Sequence, residues 1–334
     1  MNTKVKTSDI SITIVIKALN EEENIEKCIK SSIIALKGFN GKIILVDSKS
    51  DDKTIDIAKK YPIKIIQLKY KKDRSCGIGP QIGYLNTNTD YIYILDGDMV
   101  INKNFIKKAI PYFSESNIAG IAGNIIEKSK NNLAFQVRKK HHIVDEVKIV
   151  DRLGMGGLYK KSAIDDVGFF SNPSLNAYEE SDLASKLSLK NYILKRIPVD
   201  MLEHFGEDTM YISTLFSRFK SKYIFGSGQF LRLSIIDNHF FKTALELKIY
   251  IVTLIWYLFG IISLLLQFKG IFIFLKIFII ASIVLISLIL LIKRNVKRTI
   301  FSLISWSLQS LGLLIGFITY KNKKVTNKLY TEIK

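Results

Sequence analysis

Three long apolar runs close this chain. Residues 249–268 and 300–320 carry no charge, and residues 271–292 carry one, Lys276. Each run is long enough to cross a hydrocarbon core about 30 Å thick. Three such runs in succession with basic flanks are poorly explained as buried helices of a large soluble core. The first two read as spans. The third carries Ser302, Ser305, Ser307, Gln309 and Ser310, so it either spans while packed on its neighbours or re-enters. The basic flanks do not settle the topology. Lys293, Arg294, Lys297 and Arg298 obey the positive-inside rule. Three full crossings would then place Lys321, Lys323, Lys324 and Lys328 outside, against it.

Composition agrees with a membrane neighbour. The 334 residues carry a formal net charge of +19 and are nonetheless 48% hydrophobic. That pairing excludes a disordered tail, a collagen-like chain and a disulfide-stapled module. The basic excess is 41 Lys against 8 Arg, and nucleic-acid readers favour Arg for bidentate and stacked contacts. No nucleic-acid partner is expected. Cys28 and Cys76 fit a reducing compartment and have no metal-ligand spacing. The short, β-branched run Ile10–Ile16 reads as a strand and not as a signal peptide. The first ~240 residues are therefore expected to be cytoplasmic, in a multi-pass cell-membrane protein.

From residue 10 to about 200, strands alternate with helices: Ser11–Ile16, Glu21–Ala35, Lys42–Val46, Thr54–Lys60, Ile63–Leu68, Gly79–Asn86 and Tyr91–Leu95. Such spacing implies a mostly parallel, doubly wound α/β sheet with its sites at strand C-terminal ends. Polar signals sit there. The first strand runs into Ala18-Leu19-Asn20-Glu21-Glu22, the second into Asp47-Ser48-Lys49-Ser50-Asp51-Asp52-Lys53-Thr54. The apolar strand ending at Leu95 gives way to Asp96-Gly97-Asp98. Two carboxylates there are costly without a cation. Mg²⁺ or Mn²⁺ with a diphosphate is a natural partner; a plain Asp-Gly turn is the alternative.

Taken together, these elements resemble the nucleotide-sugar-binding half of glycosyltransferase family 2, over roughly residues 10–205. The family's Asn-Glu is matched by Asn20-Glu21, and its Asp-Ser-x-Ser-x-Asp-x-Thr by Asp47, Ser48, Ser50, Asp52 and Thr54. Its Arg…Asn-x-Gly is matched by Arg74, Gln81 and Gly83, with Gln81 in place of Asn. The resemblance implies a GT-A fold, Rossmann-like and mostly parallel, followed by interfacial helices and C-terminal transmembrane helices. It implies a metal-dependent, hexosyltransferase-type enzyme of bacterial or archaeal membrane type, acting in cell-envelope polysaccharide synthesis on a UDP- or GDP-type nucleotide-sugar donor. Ala18, Asn20, Glu21, Asp47, Ser50, Arg74, Gln81, Asp96 and Gly97 would hold the donor: Asp47 the base, Glu21 the ribose, Arg74 the diphosphate. Asp98 would coordinate the metal directly, with Asp96 near it.

Downstream, Gly154-Met155-Gly156-Gly157-Leu158-Tyr159 permits close backbone approach, either by a sugar or by another strand. The resemblance makes Gly156 and Gly157 part of an acceptor site. Glu179-Glu180-Ser181-Asp182-Leu183 places three acids in one helical turn. They either stabilise the helix dipole or repel one another enough to raise a pKa, as a general base requires. The stretch resembles the family's Glu-Asp-x-Asp-Leu motif, with Glu180 where the base stands, Lys186 in place of its Arg, and Glu179 and Asp182 as the other catalytic candidates. His204 is either a metal-side or a structural histidine. His141-His142 lies in a basic stretch. Residues 210–246 mix Arg218, Lys220, Lys222 and Arg232 with Tyr211, Phe216, Phe219, Tyr223, Phe225 and Phe230, which suits amphipathic helices in a headgroup layer of membrane lipids. Gln229-Phe230-Leu231-Arg232-Leu233 partly resembles the Gln-x-x-Arg-Trp motif of processive synthases, making Gln229 and Arg232 acceptor candidates, although Leu233 replaces the Trp.

The expected organisation is a catalytic domain at 1–209 (donor half about 10–100, acceptor half about 101–209), interfacial helices at 210–246 and a transmembrane region with a basic tail at 247–334. The expected reaction is inverting transfer to a hydroxyl of a lipid-linked or other saccharide acceptor. The alternatives are a polyprenyl-phosphate glycosyltransferase, a processive polysaccharide synthase, or an inactive sugar- or lipid-binding homologue.

Overall fold

The computed structural model describes residues 7–128, 142–206 and 212–334. His141 and Tyr211, singled out above, lie outside the described residues. The chain forms two compact units, Met1–Met210 with Asn322–Lys334, and Tyr211–Lys321.

The first unit runs β1 (Ser11–Ala18), α1 (Ile25–Ala35), β2 (Asn40–Asp47), α2 (Thr54–Ala58), β3 (Lys64–Leu68), α3 (Ile78–Leu85) and β4 (Tyr91–Asp96). There follow β5 (Met99–Ile101), α4 (Phe105–Ala109), β6 (Ile118–Glu127), β7 (Lys148–Val150), β8 (Gly157–Lys160), α5 (Lys161–Val167), α6 (Glu179–Leu189) and β9 (Ile193–His204). Ile12, Ile14, Val15 and Ile16 of β1 are completely buried. A near-continuous apolar strand of this kind belongs in the centre of a parallel sheet covered on both faces. It pairs in parallel with β2 on one side and β4 on the other, and β3 adds to β2, also in parallel. Helix α1 buries Ile25, Cys28, Ile29, Ser32 and Ala35, which recur at helical spacing. It starts later than the expected Glu21, and the backbone N–H groups of Glu21 and Glu22 bond to Thr54 Oγ1 (2.8 Å) and Asp52 Oδ2 (3.0 Å).

Beyond β4 the sheet departs from the expected parallel order. β8 inserts antiparallel between β4 and β6, while β9 runs parallel to β6 and carries β5 and β7 antiparallel. The full sheet is therefore mixed, with a parallel first half and a largely antiparallel second half. β5 follows β4 after only Gly97-Asp98 and pairs with β9, while the edge of β4 takes β8.

The other departure is at the chain's end. After the apolar helices, β10 (Tyr330–Glu332) pairs antiparallel with β3. Ile333 N–H donates to Ile65 O (2.7 Å), Ile65 N–H to Lys334 O (2.8 Å) and Lys69 N–H to Leu329 O (2.9 Å). This pairing covers what would otherwise be an open sheet edge. The expected segment 247–334 thus divides, and its last thirteen residues, 322–334, belong to the first unit.

The second unit holds α7 (Ile212–Lys220), α8 (Gly226–Ile236), α9 (Phe240–Glu246), α10 (Lys248–Gln267), α11 (Ile273–Lys293) and α12 (Val296–Thr319). The last three are long and apolar enough to cross a membrane.

One buried cation ties the second half of the sheet together. Arg196 of β9 is 1% exposed and donates to the carbonyls of Gly123 in β6 and Leu153 before β8. Replacing it (Arg196→Met) leaves both carbonyls unmet, at about 1–3 kcal/mol for each buried group. The expected outcome is a lower urea midpoint for the detergent-solubilised chain, with the exposed control Ser8→Ala unchanged.

Candidate functional site

Because β1, β2 and β4 are parallel neighbours, their C-terminal ends meet at one edge: Ala18 lies opposite Asp47, and Lys17 opposite Asp96. The loops leaving β1 and β2 are bonded to each other. Asn20, at φ 58°, donates its N–H to Ser50 Oγ (2.8 Å) and accepts the Asp51 N–H on Oδ1 (2.9 Å). Ala18 O accepts the Ser48 N–H (2.8 Å). Asp47 is completely buried and accepts from Ser50 N–H (3.0 Å), the Ser50 hydroxyl and the Gln67 amide (2.9 Å). Arg74 donates Nε–H to Ser48 O (2.7 Å) and a second N–H to Lys49 O, bracing the same loop from outside. The side-chain oxygen of Gln81 accepts the N–H groups of Phe170 (2.9 Å) and Ser171 (3.0 Å), so it positions the segment leading to α6.

The Asp-Gly-Asp turn gathers a second set of groups. Asp98 Oδ2 lies 3.2 Å from His204 Nε2, and His204 Nδ1 lies 2.8 Å from Glu127 Oε2. Burial alone would lower the His204 pKa, but its bonds to Asp98 and Glu127 outweigh this and push it up to about 9. Glu21 packs its side chain against Gly97. Burial first, and then the charges of Asp98 and Asp96, push its carboxyl up to about 8. Three carboxyl groups this close, with Glu21 held towards its neutral form, define a place where a cation is favoured.

A third set lines a pocket formed by Lys17, Gly156, Tyr159, Glu179 and Glu180 with apolar neighbours. Gly156, at φ 90°, brings its backbone so close to β4 that a Cβ would sit 2.4 Å from Ile94 O. Only glycine fits, and this approach turns the Gly156 N–H onto Glu180 Oε1 (3.3 Å). Glu179 and Glu180 open α6 behind Tyr178, which sits at φ 69°. Burial raises both glutamates, with Lys17 opposing; Glu179 reaches about 7. Lys17 Nζ is 2.7 Å from Asp96 Oδ1. Its burial would lower its pKa, but Asp96, Glu179 and Glu180 together raise it well above the usual lysine value.

The expected residues thus separate. Asn20, Glu21, Asp47 and Ser50 join Asp96, Gly97, Asp98 and His204 at the strand ends, and Glu179 and Glu180 share a pocket with Gly156. Gly157 begins β8 opposite Ile94. Asp182 is completely buried and paired with Lys186 (3.1 Å), off the lining of that pocket. Gln229 and Arg232 lie on α8 of the second unit, where the Arg232 guanidinium is 5.1 Å from the Phe317 ring. Lys17, Gln67 and Glu127 were not singled out in the sequence. Lys17 had a usable signal, a lone charge inside an otherwise apolar buried strand. Glu127 had none, because its partner is 77 positions away.

Residues 13–171 match the family model described as Glycosyl transferase family 2. Over those residues the chain matches a family 2 glycosyltransferase domain. Among curated relatives, the dolichol-phosphate mannosyltransferase of Pyrococcus furiosus is 26% identical over 125 residues, covering 36% of this chain and 35% of the relative. The dolichyl N-acetyl-alpha-D-glucosaminyl phosphate 3-beta-D-2,3-diacetamido-2,3-dideoxy-beta-D-glucuronosyltransferase of Methanococcus voltae is 28% identical over 138 residues, covering 38% and 43%. The chain therefore spans less than half the length of these relatives. Among solved structures, S. aureus TarS 1–349 superposes with a TM-score of 0.53 at 15% identity, over 68% of this chain and 66% of that one. The same protein in complex with UDP-GlcNAc gives 0.51 over 71% and 73%. At that identity the likeness establishes the fold, which is GT-A.

The raised glutamates make stability pH-dependent. Glu179 titrates at about 7 in the fold against an ordinary 4.5, so between those values the folded chain holds a proton the unfolded chain has lost. Its contribution is complete below the ordinary value and is lost as pH rises through 7; Glu21 acts in the same direction up to about 8. The melting temperature of the metal-free protein should fall from about pH 5 to about pH 8, and Glu179→Gln should flatten part of that fall in a thermal-shift series.

Proposed function

We propose that the protein is an inverting glycosyltransferase that moves a sugar from a nucleotide-diphosphate donor to a hydroxyl of a membrane-associated, lipid-linked acceptor. The observation that carries this reading is the pocket in which Glu179 and Glu180 face Lys17, itself bound to Asp96 at the end of β4. It puts a candidate base beside the motif that would hold the donor's diphosphate. UDP-GlcNAc in TarS and the dolichyl-linked substrates named for the archaeal relatives support the donor and acceptor classes.

In this reading Asp47, held rigid by Ser50 and Gln67, accepts an N–H of the donor's base, and Glu21 faces its ribose. Arg74 keeps N–H groups beyond its two loop bonds for phosphate oxygens. Asp98 and His204, with Asp96 beside them, would hold Mg²⁺ or Mn²⁺. The donor set fits: carboxylate oxygens with one imidazole suit such an ion, and Glu127 orients the imidazole from behind. The ion would offset the negative charge gathering on the departing diphosphate. Glu180, steadied by the Gly156 N–H, takes the proton of the acceptor hydroxyl. The hydroxyl oxygen bonds to the anomeric carbon as the bond to the diphosphate breaks on the opposite face, and the configuration inverts. A carboxyl raised towards working pH is suited to this transfer; Glu179, its neighbour, is the alternative base. The three apolar helices would make the protein a multi-pass membrane protein, with its catalytic domain in the cytoplasm.

A second reading, transfer to a polyprenyl phosphate, is favoured by the Pyrococcus relative and by the Lys17 ammonium in the pocket, which suits an anionic acceptor. The two differ in their need for a base. Nucleotide release from UDP- and GDP-sugars, with Mn²⁺ and lipid extract, should fall about 10²–10⁴-fold in kcat for Glu180→Gln, with donor KM little changed. Asp98→Ala should lose metal-dependent donor binding. Full activity in Glu180→Gln would favour the phosphate acceptor, and a wild-type chain that binds and hydrolyses no donor would overturn the enzyme reading.

A further inference from the structure

The three apolar helices differ in a way that their length hides. Within the 18-residue window that best fits a span, α10 is 6% buried and α11 not at all, whereas α12 is 28% buried. The first two form an antiparallel hairpin. Trp256 Nε1–H donates to Ser282 Oγ (3.2 Å), the Trp256 and Phe278 rings lie 5.2 Å apart, and Gly260 packs on the same Phe278. The hairpin's open end therefore carries the first turn of α10 and the last turn of α11, and its closed end carries residues 268–272.

Helix α12 begins after a two-residue gap at that open end and leans only part-way along the hairpin, where Ser307 Oγ and the Tyr257 hydroxyl are hydrogen-bonded. Lys293 Nζ, the last residue of α11, lies 5.8 Å from the Trp306 ring. Ser310 Oγ donates to Tyr250 O (2.9 Å) in the first turn of α10. Ser310 is fifteen positions beyond Asn295, about 22 Å along a helix axis. Had α12 followed the hairpin, Ser310 would have reached the far half of α10 and not its first turn. Past this crossing, Gly312 and Gly316 pack against the backbone of Ile224 and Phe225, and Gly228 against that of Leu313.

Residues 301–309 of α12 are half-buried all round, and its fully exposed large apolar residues share one face. Its exposed large apolar residues are Val296, Ile300, Leu311, Leu314 and Ile318. At 100° per residue they fall within about 60° of one another on the helix circumference. Of its buried residues, Gly312, Leu313 and Gly316 lie on the other side, and Thr299 and Ser310 flank the stripe. One apolar stripe on a helix with serines and a basic start is the pattern of a helix lying in the membrane interface.

The chain's end supplies an independent constraint. Lys323 N–H donates to Ser174 Oγ (2.7 Å), Lys64 pairs with Glu332 (2.9 Å), and β10 completes the sheet. The segment after α12 is thus built into the same domain that precedes α7. A chain that leaves a folded body on one side of a bilayer and returns to it crosses an even number of times.

We infer that the protein crosses the membrane twice, through the α10–α11 hairpin, and that α12 lies along the bilayer surface on the catalytic domain's side with its apolar stripe in the lipid. The conflict over basic residues then disappears. Lys293, Arg294, Lys297 and Arg298 share one side with Lys321, Lys323, Lys324 and Lys328, and all face the same headgroups. This arrangement holds whichever sugar or acceptor the enzyme uses.

Cysteine labelling tests it in the full-length protein in native membrane vesicles of both orientations, with Cys76→Ser as background and Cys28 left in the core. Single variants Ser8→Cys, Lys269→Cys, Lys297→Cys and Lys324→Cys are treated with a membrane-impermeant maleimide. The expected result is that Lys269→Cys labels in one orientation, and the other three label in the opposite one. Lys324→Cys labelling together with Lys269→Cys would mean three crossings; all four labelling together would mean none; either overturns the inference. A fluorophore at Leu314→Cys should be quenched by shallow lipid-borne quenchers and one at Val284→Cys by deep ones. Deep quenching at both would also overturn it.

Discussion

The site depends on how a crowd of carboxylates is kept at the ends of buried strands. Asp96, Asp98, Glu21, Glu179 and Glu180 all come from the edge where β1, β2 and β4 stop or from the helix facing it. Left alone, such charges would repel one another and resist burial. Two cations hold them in place. Lys17 binds Asp96 and faces the glutamates of α6, and His204 sits between Asp98 and Glu127. The first pair joins the parallel half of the sheet to the pocket. The second joins the Asp-Gly-Asp turn to β6 and β9.

The mixed sheet follows from the same arrangement. A parallel sheet alone would collect the loops after β1, β2 and β4 but leave one side of β4 open. Placing β8 antiparallel on that side brings Gly156 against Ile94 and turns its N–H to Glu180. Arg196 then locks β9 and β6 to the segment that enters β8. The second half of the sheet thus brings one backbone N–H and two carboxylates to the end of the parallel half.

Much of this was legible along the chain. The strands β1 to β4 could be read because their apolar runs are short, β-branched and bounded by polar loops. The motif residues could be read because their spacing within each loop is local. Asp182 could not be separated from Glu179 and Glu180, since all three share one helical turn and the rotation of α6 about its axis decides which face the pocket. Lys17 and Glu127 were missed because their meaning lies in a partner far away in sequence. The order of the second half was hidden because β5, β7 and β8 are three or four residues long and carry little periodic signal.

By itself, the sequence determined the local matters: the α/β class of the first unit, the family motifs, and three segments apolar enough to enter a membrane. These rest on hydrophobic period, run length and loop chemistry, which act between near neighbours. The tertiary structure decided which carboxylates meet which cations, how β8 joins the sheet, and that the last thirteen residues return to β3. Those outcomes rest on hydrogen bonds and ion pairs between positions tens to hundreds of residues apart, which no local pattern encodes. The number of apolar runs is written in the chain; where its end is bound is not.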